Sequence, residues 1–280
     1  MSDTSIEWTD KVWNPVTGCT KISEGCTNCY AEPMANRLKH MLPKYEYGFD
    51  VATHPSELER PLGWKKPATI FVNSMGDLFH PLIPAKFILS VFNTIQRAHW
   101  HRFQILTKRS AIMQAMTDKE DICWPPNAWM GVTVESADHV DRIDDLRMTT
   151  ARHKFISMEP LLGPVPGLDL KGIELVICGG ESGPRARPMA PEWARMIRDQ
   201  CIDQGVTFFF KQWGEWAPWD GKLIRLKDGK HVLWDGDNPI PDVINEHGEY
   251  SVRVGRSKSG RLLDEVDWNE IPWNESKEDG

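Results

Sequence analysis

Three cysteines stand close together near the start of the chain, Cys19, Cys26 and Cys29, spaced C-x6-C-x2-C. Three thiolates from one loop can hold an iron–sulfur cluster or a zinc ion. Gly18 and Gly25 directly precede the first two and allow tight turns toward a metal. No fourth Cys or His lies nearby; His40 is the nearest His and falls on a predicted helix. A structural zinc site is closed by a fourth ligand, whereas an open position suits catalysis, which favours iron–sulfur over zinc. A zinc site completed from afar and three free thiols are the alternatives. Cys123, Cys178 and Cys201 are scattered and read as small buried hydrophobes, not as a disulfide framework.

A loop of this kind needs a scaffold. Six apolar runs bounded by turn residues follow it, at 69–73, 103–107, 129–134, 154–158, 175–178 and 207–211, and a seventh near 11–14 precedes it. The runs are continuous rather than alternating, as for strands covered on both faces. Helical stripes lie between them at 85–99, 137–148 and 191–204, and a helix after Cys29 would carry Met34, Leu38 and Met41. Strand–helix alternation of this length predicts an α/β fold with a parallel sheet or barrel. The link 161–172 holds Gly163, Pro164, Pro166 and Gly167 and cannot form a good crossover helix. From about Gly214 three Asp-Gly pairs appear, the middle one between 222–226 and 230–234, a hairpin signature. The predicted organisation is a barrel over 1–212, a hairpin-and-loop extension over 213–273 and a disordered tail over 274–280, with no internal repeat.

Ligands of parallel α/β sheets and barrels sit at the carboxyl ends of the strands. The residues there include Ser74, Gly76 and Asp77 after the first long run, Lys108 and Arg109 after the second, and Glu135 after the third. Glu159 follows the fourth, Gly179, Gly180 and Glu181 the fifth, and Lys211 closes the sixth. Strand ends also meet solvent, which alone would place polar residues there; the neighbouring Met75, Met158 and Cys178 and the Gly-Gly pair favour a site. The catalytic candidates are Lys108, Glu159, Glu181 and Lys211, with Arg185 and Arg187 as forks for carboxylate or phosphate. His99, His101, His139 and His153 read as surface or core histidines.

The chain has 280 residues, 33 basic and 40 acidic, for a net charge of −7. Its 40% apolar content is that of a globular protein, and no run approaches the roughly 18 apolar residues of a membrane span. The polar, acidic N-terminus lacks the pattern of a secretory signal, so a cytoplasmic location without membrane contact is expected. Net charge gives no support for general nucleic-acid binding but permits a local basic groove. The extension has such a pattern: Lys222, Arg225, Lys227 and Lys230, then Arg253, Arg256, Lys258 and Arg261, interleaved with Trp213, Trp216, Trp219 and Trp234. Cations mixed with aromatics suit an unpaired or flipped base; tryptophans packed on the barrel are the plainer explanation.

The segments from Trp13 to Cys19 and from Cys26 to Glu32 resemble a phage-type three-cysteine family related to radical S-adenosylmethionine enzymes. Asn73 to Phe79, Gly179 to Pro184, Phe209 to Gly214 and Gly260 to Asp264 extend the resemblance over nearly the whole chain. The family's fold would be a partial TIM-like (β/α) barrel. Two departures stand out. The usual spacing in such enzymes is x3 then x2, and Asn28 replaces the aromatic residue before the third cysteine.

The resemblance implies a [4Fe–4S] cluster on Cys19, Cys26 and Cys29, with S-adenosylmethionine on the open iron and a reductase or flavodoxin-type electron donor as partner. Tyr30 would pack the adenine or else belong to the core. Ser74, Gly76 and Asp77 would meet the amine, Glu135 or Glu159 the ribose, and Gly179 and Gly180 would let backbone approach the adenine. The substrate implied is a nucleobase, an amino-acid adduct of thymine rearranged during phage DNA hypermodification in an infected bacterial cell. A tRNA, peptide or small-molecule substrate, a zinc enzyme on the same barrel, and a non-catalytic metal-binding interaction protein are the other readings.

Overall fold

All seven apolar runs form strands. The computed structural model describes residues 8–119, 124–219, 243–244 and 250–273. Its sheet consists of β1 (Lys11–Trp13), β2 (Thr69–Val72), β3 (Arg102–Thr107), β4 (Ala128–Thr133), β5 (His153–Met158), β6 (Leu175–Gly179) and β7 (Thr207–Gln212). Spatial order follows chain order and every neighbouring pair is parallel. A sequential parallel sheet has no point where strand order reverses, so it curls one way, here into a half-barrel flanked by helices. The fold is α/β, a partial TIM-like barrel.

Burial divides by strand parity, because successive side chains point to opposite faces. Ile70, Phe103, Ile105, Met130, Val132, Ile156, Val176 and Phe210 pack under the helices. Phe71, Trp129, Phe155, Leu175, Ile177 and Phe209 fill the inside, together with Trp8. Both faces are thus covered, which is why the runs are continuous in the sequence. Further along the same inward rows come Ser157, Glu159 and Lys211. The interior is therefore apolar at its floor and polar at the carboxyl end.

The helices are α1 (Ala31–Leu38), α2 (Ala85–Arg97), α3 (Ser110–Lys119), α4 (Asp141–Met148) and α5 (Pro191–Asp203). Two differ from expectation. Of the stripe expected for α1, Leu38 packs beside the buried Ala31, Ala35, Tyr45 and Met75, whereas Met34 is exposed and Met41 lies beyond the helix end. Small residues let this helix lie close against the loop after β2. Helix α3 was not expected, since its apolar stripe is faint; Met113 and Met116 are what it buries. The link 161–172 forms no helix, and α5 supplies backbone partners instead. Gln200 Oε1 accepts from the Leu168 N–H (2.7 Å) and Gln204 Oε1 from the Leu170 N–H (2.9 Å).

In the C-terminal part, Tyr250–Arg253 pairs antiparallel with Trp216–Trp219 and with Val243–Ile244. The expected hairpin around Asp228-Gly229, with Lys222, Arg225, Lys227, Lys230 and Trp234, lies outside the described residues, as do Cys123 and the tail. The last described segment returns to the barrel. The Phe210 N–H donates to the Trp268 carbonyl (2.8 Å), and Ile271 and Trp273 pack on the inner cluster. Among the described residues no helix is long and apolar enough to cross a membrane.

Candidate functional site

The cysteine loop, residues 18–30, lies across the carboxyl ends of four strands. Gly18 forms a parallel bridge with Gly76 after β2. Thr20 Oγ1 and His80 Nε2 are 2.9 Å apart. Arg109, after β3, donates through Nη1 to Cys19 Sγ (3.3 Å) and through Nη2 to the Thr20 carbonyl (2.8 Å). The Ser23 hydroxyl donates to Glu135 after β4 (2.5 Å). Glu24 accepts from the Ser136 hydroxyl (2.8 Å) and stands 2.9 Å from His139 Nε2. Asn28 Nδ2 donates to Glu181 after β6 (3.1 Å) and to the Arg185 carbonyl (2.7 Å). Burial raises the Glu24 carboxyl, but the His139, backbone and Ser136 bonds outweigh it and hold it at about 2.

Several strand-end residues already have protein partners, which changes the roles expected of them. Asp77 is buried, and its oxygens accept from Thr107 Oγ1 (2.8 and 3.0 Å), the Phe79 N–H (2.9 Å) and Arg109 Nη1 (2.9 Å). It therefore positions Arg109 instead of facing a ligand's amine. Glu135 is fully buried between Lys108 Nζ (2.7 Å) and Arg142 Nη1 (2.7 Å), which removes it as a ribose acceptor. Burial raises its carboxyl, but the Lys108 charge leads the effects that bring it below the usual range. Glu181 receives Arg187 through Nη2 (2.7 Å), Nε (2.9 Å) and backbone N–H (2.8 Å). Arg187 also donates to the Glu24 carbonyl (3.0 Å), so it braces the loop. Among the described residues, Arg185 has an exposed side chain without a partner. Glu159 Oε1 and Lys211 Nζ pair at 2.7 Å inside the half-barrel. Tyr30 is exposed and donates to the Ser74 carbonyl (2.7 Å), and Ser74 Oγ donates to Asn14 Oδ1 (3.3 Å).

The glycine pair expected to meet adenine is crowded by the protein itself. A Cβ on Gly180 would lie 2.0 Å from the Trp213 carbonyl oxygen, and one on Gly179 would lie 3.0 Å from Glu159 Oε1. Gly25 is needed for the same reason, its Cβ position being 2.5 Å from the Glu135 carboxylate. Trp213 is buried edge-on against Phe210, and its Nε1 donates to the Leu262 carbonyl (2.9 Å), so it packs on the barrel and offers no open ring face. Trp216 Nε1 donates to the Ala186 carbonyl (2.7 Å). Glu24 is a contributor that the sequence reading passed over; Arg109, read as a strand-end cation for a carboxylate or phosphate, instead holds the loop, and His139, read as a surface or core histidine, meets Glu24.

The thiols themselves are free and half-buried. Burial and the Asp77 charge raise the Cys19 thiol despite Arg109. Burial also works against ionisation of Cys26, but bonds from the Ile22 backbone and Ser23 and the Lys108 charge bring it below the usual value. Among the described residues no group of three His, Cys, Asp or Glu side chains is arranged to hold a metal ion. The donor set nonetheless fits an iron–sulfur cluster in kind: three accessible thiols on one braced loop, with Arg109 and Lys108 beside them as cations. Cys178 and Cys201 are buried elsewhere, and burial pushes Cys201 up to about 12, as expected of inert core thiols.

A parallel half-barrel carrying a cysteine loop over its strand ends defines the class. A family model described as a protein of unknown function, DUF5131, matches residues 3–272, and the chain belongs to that family. No curated protein and no solved structure matches it.

Proposed function

We propose that the chain is a radical S-adenosylmethionine enzyme that modifies a nucleobase, an amino-acid adduct of thymine in phage DNA being the substrate that fits best. The observation that carries the reading is the loop of Cys19, Cys26 and Cys29 braced over the carboxyl ends of a parallel half-barrel. The three thiolates would hold a [4Fe–4S] cluster, which with S-adenosylmethionine and an electron from a reductase or flavodoxin-type donor supplies a hydrogen-abstracting radical.

The chain's own groups do the rest. Arg109, held by Asp77, fixes Cys19. Tyr30, Ser74 and Asn14 form a hydrogen-bonded row that the cofactor would meet. Phe71, Phe155 and Phe209 close the floor and exclude water from below. Lys211 Nζ carries a proton that Glu159 Oε1 holds in place, ready for a substrate heteroatom. Arg185 offers a fork for the adduct's carboxylate. A duplex base must leave its stack to reach a barrel mouth, so flipped or single-stranded DNA is required.

The test is anaerobic reconstitution followed by nucleoside mass spectrometry of adduct-bearing DNA. Formation of 5′-deoxyadenosine with a rearranged nucleoside supports the reading. 5′-Deoxyadenosine formation with only a tRNA, a peptide or a free amino acid converted leaves the radical chemistry and removes the DNA substrate. Iron binding without cofactor cleavage makes the chain a metal-binding interaction protein.

A further inference from the structure

A cavity of about 550 Å³ opens beside the carboxyl end of β7, lined by Lys211, Gln212, Arg256, Ser257, Gly260 and Arg261. Its two walls come from segments more than forty residues apart in the chain. Hydrogen bonds hold them together, among them the one from Ser259 Oγ to the Gly214 carbonyl (2.7 Å) and the following three. The Trp213 N–H donates to the Gly260 carbonyl (3.3 Å), Trp213 Nε1 to the Leu262 carbonyl (2.9 Å), and Arg256 Nε to Gln212 Oε1 (3.1 Å).

Half of the lining residues are cations, and their partners differ. Lys211 faces Glu159 (2.7 Å) and Arg261 faces Asp267 (2.9 Å). Arg256 meets only the neutral Gln212, through Nε, and no carboxylate among the described residues compensates it. Its terminal nitrogens and the exposed Ser257 hydroxyl remain available to a ligand. An arginine fork with a hydroxyl beside it matches the oxygens of a phosphate. The volume lies within the roughly 300–1,000 Å³ of small-ligand sites. Lys211 stands beside Glu159 on the inward row of β7 and Arg261 lies over the ring of Phe209 of the inner cluster (5.5 Å), so the lining is continuous with the inside of the half-barrel.

We propose that this cavity binds a phosphate of a single-stranded nucleic acid and anchors the strand while a base enters the half-barrel. The proposal rests on the nucleic-acid reading above and adds where the strand is held. It joins a barrel residue, Lys211, to the extension, so the two parts grip the same strand.

The test uses the full chain and a fluorescein-labelled oligothymidine of about twelve nucleotides, followed by anisotropy. Arg256→Gln should weaken binding about tenfold and lower the slope of log K against log salt by about 0.7, one phosphate contact on a single strand. Ser257→Asp, which puts a carboxylate on the wall, should weaken it similarly, and Arg256→Lys should restore part of the loss. Wild-type affinity and slope in both Arg256→Gln and Ser257→Asp would overturn the cavity assignment while leaving the nucleic-acid reading intact. If the wild type binds no oligothymidine but binds thymidine monophosphate in an Arg256-dependent way, the phosphate site stands and the nucleic-acid strand does not. Binding of neither probe removes both.

Discussion

Arg109 joins a buried network with Asp77 and Thr107 to the half-buried Cys19 and the exposed Thr20. Both members of the Asp77–Arg109 pair are nearly inaccessible, at 8% and 6% side-chain exposure, so each depends on the other for compensation. Removing one partner of such a pair costs about 3–5 kcal/mol, more than replacing both. Arg109→Leu should therefore lower stability by about that amount in urea unfolding, and the double variant with Asp77→Leu should recover part of it. Equal losses in the single and double variants would show that the pair is not coupled. A second prediction separates the loop thiols from the core thiols. Cys26→Ala should lose the iron chromophore of anaerobically reconstituted protein, whereas Cys201→Ala should keep it. Equal loss in both, or zinc bound stoichiometrically in place of iron, would contradict the cluster.

The loop and its neighbours meet through close approaches of backbone, and glycine is what permits them. Gly180→Ala should destabilise the fold by about 1–3 kcal/mol, since its Cβ would meet the Trp213 carbonyl and backbone cannot step aside as a side chain can. Gly63→Ala, which meets nothing within 4 Å, should stay within about 0.5 kcal/mol. Thermal melts of the two variants side by side decide this, and matching melting temperatures would reject it. At this scale the sequence was most readable. Strands buried on both faces leave unbroken apolar runs, and α2 and α5 carry strong stripes, so their positions could be written down within a few residues. Helix α3 could not, because its few methionines and alanines carry little periodicity. The strand-end residues were readable as a set, but their partners were not. Nothing local in Asp77 or Glu135 tells that Arg109 or Lys108 waits at the end of another strand, and nothing in Gly180 tells that Trp213 lies behind it. Such pairings depend on register between distant segments, which a single sequence does not display.

Stability of the whole molecule should depend on pH in the weakly acidic range. His101 is 2% exposed, its Nε2 donating toward the Pro61 and Trp64 carbonyls (3.2 and 3.1 Å), while Nδ1 is buried with no partner. Burial holds its pKa below the usual 6.5, and burial lowers His54 and His80 in the same direction. A histidine depressed on folding is neutral in the native state and charges more readily when unfolded. Its stabilising contribution is thus complete above about pH 6.5 and is lost as pH falls toward the folded value. The urea midpoint should fall between about pH 7.5 and pH 5, and His101→Phe should flatten part of that fall; a midpoint that rises with acidification would contradict the sign. The extension belongs to this scale too. Asp264 pairs with Arg195 of α5 (2.9 Å), and Trp273 packs edge-on to Trp129 at 4.6 Å. The last described segment therefore closes both the flank and the floor of the half-barrel.

Between the first two cysteines, Thr20 meets His80 after β2, Ser23 meets Glu135 after β4, and Glu24 is held by Ser136 after β4 and, through its carbonyl, by Arg187 after β6. The extra length of that interval is thus filled by mooring points, and assembly of the barrel alone confines the loop. Small zinc domains behave otherwise, staying unfolded until metal arrives. Here the apo protein should already slow amide hydrogen exchange at Gly18, Cys26 and Thr27, whose N–H groups donate to Met75, Ser23 and Glu24 carbonyls. Loading with metal then needs little further ordering of the chain, so its rate should be set by delivery of iron and sulfide and not by refolding.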